Sequence, residues 1–232
     1  MSFRATFFTK VGFHPHLLTS YGDFTLTGPN VDRLKPLPGK LRHVVCDPAT
    51  EQLYGLSTHQ VFQVSLENKT ATEMKLTDNV PRLSWPCGIA FDTKRQRLIV
   101  VSGYMYEYLP ATQQWAVVTD MQNINLAALT YEPKEDRFYG ILKHHSSSSQ
   151  LMIAQYNAEG ALLEAIDISH DLISKVLSKY ARDSSVQLFI VENDLVILTS
   201  DHMLVVNPTS KIVELTWERY KPVSEDNVEE PN

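Results

Sequence analysis

The chain has 232 residues, 43% of them apolar, a net charge of −6 and a pI near 5.7. That length holds one sizeable all-β domain or two small ones, and the apolar share is ordinary for a folded protein. The acidic balance disfavours nucleic acid and anionic membrane surfaces as partners, because both select basic proteins, and no run of about 18 apolar residues marks a membrane-spanning helix.

The N-terminal stretch MSFRATFFTKVGFHPH has a Phe pair but neither an apolar core nor a small-residue cleavage site. It does not read as a secretory signal. On that reading the chain is cytoplasmic, and Cys46 and Cys87 are buried free thiols rather than a disulfide. Phe3 to Thr9 reads as a strand, His16 to Ser20 as a second and Asp23 to Thr27 as an outer one, followed by a Pro-rich connector, Asn30 to Lys40.

Leu41 to Thr77 holds one complete unit. Arg42 to Cys46 is a short Val-rich run, bounded by Asp47-Pro48-Ala49-Thr50. Pro presets φ in that turn and the Asp side chain can accept bonds from amides ahead of it. Gln52 to Leu56 forms a second strand, Val61, Phe62 and Val64 lie in a third, and Ala71 to Thr77 alternates apolar and polar as a half-exposed outer strand does. Four short strands joined by tight turns, apolar first and most polar last, describe one blade of a β-propeller.

Two landmarks repeat along the chain. An aromatic residue or Cys followed by an acid precedes a turn and a strand at Cys46-Asp47, Phe91-Asp92 and Tyr131-Glu132, with a degenerate copy at Val191-Glu192. An aliphatic residue followed by Thr or Ser closes the outer strand at Leu26-Thr27, Leu76-Thr77, Val118-Thr119, Ile168-Ser169 and Leu215-Thr216, at spacings of 50, 42, 50 and 47 residues. Propeller blades repeat at about 40 to 50 residues. The second unit is Gly88 to Thr119, with strands at Gly88 to Phe91, Arg97 to Ser102, Tyr104 to Leu109 and Gln114 to Thr119. The third, Leu126 to Ser169, carries an insertion, His144 to Ser149, between its second and third strands. Leu172, Ile173, Val176, Leu177 and Tyr180 have helical spacing, which predicts a helix inserted near residues 169–182 with Ser169 as its N-cap. The fourth unit is Val186 to Thr216, and the acidic tail, residues 218–232, lacks apolar periodicity and reads as disordered.

The fold expected is therefore all-β: a single β-propeller domain over residues 1–217, of about five blades, mostly four-stranded, with an incomplete first blade. An open row of blades exposes sheet faces and edges, which proteins avoid. Either the five blades close on themselves, the favoured arrangement, or a second copy or another chain completes the ring. The Asp-Pro turn followed by Leu53-Tyr54-Gly55-Leu56 resembles the β-propeller superfamily in its broad sense, similar to the NHL, YWTD and gluconolactonase-like groups. It lacks the Trp-Asp ending of WD repeats, the Gly-Gly pair of Kelch repeats and the Tyr-Trp-Thr-Asp motif itself. The resemblance therefore implies a fold and carries over no functional residue.

The loops that enter the inner strands form the expected ligand face. Asp78 and Asp120 recur at equivalent points of two blades, with Asp171 near a third and Asn79, Asn123 and Asn125 as further oxygen donors. Two readings stand: a carboxylate ring holding Ca²⁺ or another divalent cation, or acids that cap their own turns, the favoured one. Arg82 and Trp85 share one loop and are residue types enriched at binding hot spots. His14 and His16 could chelate a metal from one strand face but have no third ligand, and His144-His145 reads as a solvated loop. No Gly-x-Ser-x-Gly elbow or Gly-rich phosphate loop is present. The leading function is a non-enzymatic binding module for a protein or small ligand. Its rival is a metal-dependent propeller hydrolase or lactonase with Asp78 or Asp120 as base.

Overall fold

Runs rich in Val, Ile, Leu, Tyr and Phe, punctuated by four-residue turns, fold into antiparallel sheets linked in sequence order. The computed structural model describes residues 6–11, 14–19, 22–25, 41, 43–57, 59–65, 68, 70–84, 88–121, 124, 126–143, 151–167, 186–191, 193–198 and 202–218. A three-stranded first sheet holds β1 (Thr6–Val11), β2 (His14–Thr19) and β3 (Gly22–Thr25). The second blade is β4 (His43–Cys46), β5 (Leu53–Leu56), β6 (Val61–Ser65) and β7 (Thr70–Met74). The third is β8 (Gly88–Asp92), β9 (Arg97–Val101), β10 (Tyr104–Leu109) and β11 (Gln114–Asp120). The fourth is β12 (Leu126–Glu132), β13 (Arg137–Lys143), β14 (Leu151–Tyr156) and β15 (Leu162–Asp167). The fifth is β16 (Gln187–Val191), β17 (Asp194–Leu198), β18 (His202–Val206) and β19 (Val213–Glu218).

Among the described residues this is an all-β propeller whose first sheet has three strands. The inner strands β1, β4, β8, β12 and β16 neighbour one another in that order. In the second blade burial falls from wholly buried β5 to largely exposed β7, so the sequence gradient from apolar to polar is a radial gradient. Some boundaries move. The outer strand of the second blade stops at Met74 rather than Thr77, because the chain turns there, with the Val80 amide donating to the Thr77 carbonyl at 3.0 Å. The first-sheet strands lie a few residues from their expected limits, and His14 and His16 both fall within β2. Val191 pairs with Asp194, so the fourth copy of the acid landmark sits in a two-residue connection instead of a four-residue turn. The insertion at 144–149, the helix expected near 169–182 and the tail beyond 218 lie outside the described residues.

The blades are held face to face by apolar side chains. Tyr54, Leu56 and Val61 of the second blade pack with Phe91, Leu98, Tyr106 and Trp115 of the third. The Tyr54 and Phe91 rings stack with centroids 6.0 Å apart and an interplanar angle of 6°. Ile99, Met105 and Ala90 meet Leu129, Phe138 and Tyr156 across the next interface, and Ala128, Tyr139 and Ile141 meet Leu188, Ile197 and Leu204 across the one after. Gly88 lets the inner strands approach: a Cβ there would lie 2.7 Å from the Leu129 Cβ.

Hairpins alternate ends. The turns after the first and third strands of each blade form one face, the turn face, and the remaining connections form the loop face. Turn-face acids cap their own backbone. Asp47 accepts from the Ala49 amide at 3.0 Å and from the Thr50 hydroxyl at 2.6 Å. Asp92 accepts from the amides of Lys94 and Arg95, and Glu132 from those of Lys134 and Glu135. Asn157 and Asn207 do the same in third-strand turns. Each of these turns ends on a left-handed residue: Glu51, Gln96, Asp136, Gly160 or Lys211. The acid landmark is a folding device, since a side-chain acceptor satisfies amides that a tight turn leaves unpaired.

Candidate ligand-binding site

On the loop face, the segment between β7 and β8 is the best-defined feature. Val80 and Leu83 are buried in the interface between the second and third blades. Pro81 and Arg82, raised between these two anchors, are exposed. The segment is further fixed by the Ser84 amide, which donates to the Ser102 hydroxyl at 3.0 Å, and by His59 Nδ1, 3.0 Å from the Ser84 carbonyl oxygen. Asp78 and Asn79 are exposed at the start of the same segment, and Asp120 is exposed at the end of β11. Trp85, Asn123, Asn125 and Asp171 lie outside the described residues. Among the described residues no group of three or more His, Cys, Asp and Glu side chains is placed to share a cation.

The turn face carries an ion-pair system that no sequence pattern disclosed. Asp92 is fully buried, 0% exposed. Arg97 Nε donates to it at 2.9 Å, while Arg97 Nη1 reaches Glu107 at 2.6 Å and Nη2 reaches the Ala158 carbonyl of the fourth blade at 2.6 Å. Arg95 grips Asp136 with two bonds, 2.7 and 3.0 Å, and the Tyr131 hydroxyl donates to the same carboxylate at 2.7 Å. Arg95 first, then Tyr131, hold the Asp136 carboxyl well below the usual carboxylate range. Burial, reinforced by that bond, pushes the Tyr131 hydroxyl well above its ordinary value, and burial pushes Tyr54 up to about 12. Between the fourth and fifth blades the equivalent residue, Arg137, bonds Gln155 at 2.7 Å and lies over the Tyr139 ring. Its Nε has no partner among the described residues, and the two Glu132 oxygens accept from turn amides. A polar hollow of about 490 Å³ lies there, lined by Glu132, Arg137, Tyr139, Asn207 and Thr209 among others. In the four-stranded blades a residue at or just before the start of the second strand thus bonds the third strand or the turn that follows it: Gln52 bonds the Val64 carbonyl, Arg97 bonds Glu107, Arg137 bonds Gln155 and Asp194 bonds Asn207.

A second cavity, about 270 Å³, runs along the axis between β4, β8, β12 and β16. His43 and Gln187, 3% and 4% exposed, meet across it at 3.2 Å. Exposure rises from that pair toward the turn face: His43 and Val44 are buried and Val45 and Cys46 half-buried, while Gln187 and Leu188 are buried, Phe189 half-buried and Val191 exposed. His43 and Gln187 lie at one end of the cavity, and Pro48, Thr93 and Pro133 lie at its turn-face end. Of the loop-face candidates that are described, Asp78, Asn79, Arg82 and Asp120, none lines either hollow. The sequence signal for the axial pair was a single polar residue at the start of an otherwise apolar first strand, HVVC and QLFIV.

No protein-family profile and no curated protein sequence matches the chain. Solved structures do, at identities that show the fold alone. A chain of the nidogen/laminin complex matches with a TM-score of 0.57 and 13% identity, over 92% of this chain and 78% of that one. An auxiliary nutrient binding protein from Bacteroides ovatus matches with a TM-score of 0.57 and 12% identity, over 87% of this chain and 53% of that one. The extracellular domain of a putative one-component system from B. thetaiotaomicron matches with a TM-score of 0.50 and 13% identity, over 92% of this chain and 27% of that one. The chain thus spans about half of the first Bacteroides protein and about a quarter of the second. These likenesses agree with the β-propeller fold.

Proposed function

We propose that this propeller is a non-enzymatic binding module that engages a protein partner through its loop face, with Arg82 as an anchor. The observation that carries the reading is the segment between β7 and β8. Val80 and Leu83 fix it into the core, two hydrogen bonds pin Ser84, and Pro81 and Arg82 stand exposed between them. A rigidly presented Arg loses little conformational entropy on binding, and Arg is enriched at the energetic centres of interfaces. The binding roles named for two similar folds, a complex with laminin and a nutrient binding protein, agree with this reading.

The test is a photo-crosslinking residue placed at Pro81 in the full chain, compared with one at Lys134 on the turn face. One partner is expected to be captured from position 81, and its yield to fall at least tenfold with Arg82→Ala while circular dichroism stays unchanged. Capture that is equal from both positions, or unaffected by Arg82→Ala, refutes the loop-face assignment. Turnover of lactone or ester probes that vanishes in Asp78→Asn or Asp120→Asn refutes the non-enzymatic one.

A further inference from the structure

The axial cavity makes a second, independent argument, on the opposite face from the loop segment. β4, β8, β12 and β16 each pair on one side only within their sheets. The free side of each faces the axis, and an edge strand presents alternating N–H and C=O groups along that side. The cavity is therefore ringed by both donors and acceptors. Among the described residues the lining holds no Asp, Glu, Lys or Arg. At the end away from the turn face the His43 ring and the Gln187 amide add two more polar groups, both more than nine-tenths buried. Half-buried Thr130 adds a hydroxyl-bearing residue to the wall.

Those features select by charge and size. An ion entering this lining would lose its hydration with no counter-charge to replace it. A hydrocarbon would leave the strand edges without hydrogen bonds. A volume of about 270 Å³ lies just under the range of about 300–1,000 Å³ typical of ligand pockets. It also exceeds the roughly 150 Å³ that holds one benzene. We infer that the axial cavity is a binding site, entered from the turn face, for a small neutral molecule of about one ring that both donates and accepts hydrogen bonds.

Three probes share one ring and differ in its head group: benzamide, benzoate and toluene. Titrated into the intact protein, each is read by shifts of the backbone amide resonances of β4, β8, β12 and β16. Benzamide is expected to shift those strands selectively and to bind at least tenfold more tightly than either benzoate or toluene. Gln187→Met, which keeps the side-chain volume and removes the amide, is expected to weaken benzamide about fivefold or more and leave toluene unchanged. Thr130→Leu, which narrows the wall, is expected to weaken all binding. If either variant fails to fold, the three-probe comparison on the parent protein decides alone. Benzoate or toluene binding as tightly as benzamide, shifts that map to the loop face, or no shift with any probe at millimolar concentration overturns the inference.

Discussion

Replacing Arg97 with Met removes the cation at the centre of the turn-face network while keeping an unbranched side chain in its place. Asp92, 0% exposed, then keeps the amides of Lys94 and Arg95 and the Arg95 guanidinium at 3.2 Å, and loses the bond at 2.9 Å. Glu107 and the Ala158 carbonyl each lose a bond as well, the latter the contact that bridges the third and fourth blades. Removing one member of a buried pair costs about 3–5 kcal/mol. Because Asp92 retains three donors, the expected loss is near the lower end, about 3 kcal/mol. For a chain of this size that lowers the melting temperature by about 6–12 °C. Urea unfolding of Arg97→Met, Asp92→Asn and the double variant measures it. The double variant is expected to be more stable than the two single losses combined would give, with a coupling of about 1–3 kcal/mol. A loss below about 1 kcal/mol for Arg97→Met, or strict additivity, would refute the view that this cation compensates the buried carboxylate.

Asp136→Asn carries a pH signature. The folded carboxyl titrates below its unfolded value of about 3.9, so its contribution is fully present above about pH 4 and fades as pH falls toward the folded value. The stability gap between parent and variant is expected to be open at pH 7 and to close through the acid range; a gap independent of pH contradicts the Arg95–Asp136 assignment. The Tyr106 hydroxyl is buried with no hydrogen-bond partner among the described residues, so Tyr106→Phe is expected to raise stability by about 1 kcal/mol, read as a higher urea midpoint. Gly160 has φ +83°, and a Cβ there would meet the Thr119 methyl at 2.6 Å. Gly160→Ala is therefore expected to cost about 2 kcal/mol or more from backbone strain and interface overlap together, and an unchanged midpoint would show that the turn relaxes freely. Phe189 of the fifth blade packs on the second-blade cluster that includes Val44 and Leu53, and Gln187 meets His43. We expect ring closure within one chain, with sedimentation equilibrium returning a single species at 26.4 kDa; a stable dimer would mean that a second copy completes the first blade.

Much of the fold is local and could be read from the chain. Alternation within Ala71 to Thr77, the Val-rich run at 42–46 and the Asp-Pro turn each report on residues a few positions apart, and the propeller is built by repeating such units. Asp47, Asp92 and Glu132 recur because each satisfies its own turn amides, and a bond between residues two or three apart leaves a periodic trace. The loop-face residues Asp78, Asn79, Arg82 and Asp120 were legible as exposed connections for the same reason. Tertiary structure alone decided what happens between blades. Arg97 meets Ala158 across 61 positions and His43 meets Gln187 across 144, so neither pair has a spacing that a repeat could reveal. The axial cavity arises only when four strand edges converge, because it is made largely of backbone groups common to every sequence. Periodicity records which face of a strand is buried; it holds no record of which distant strand lies opposite.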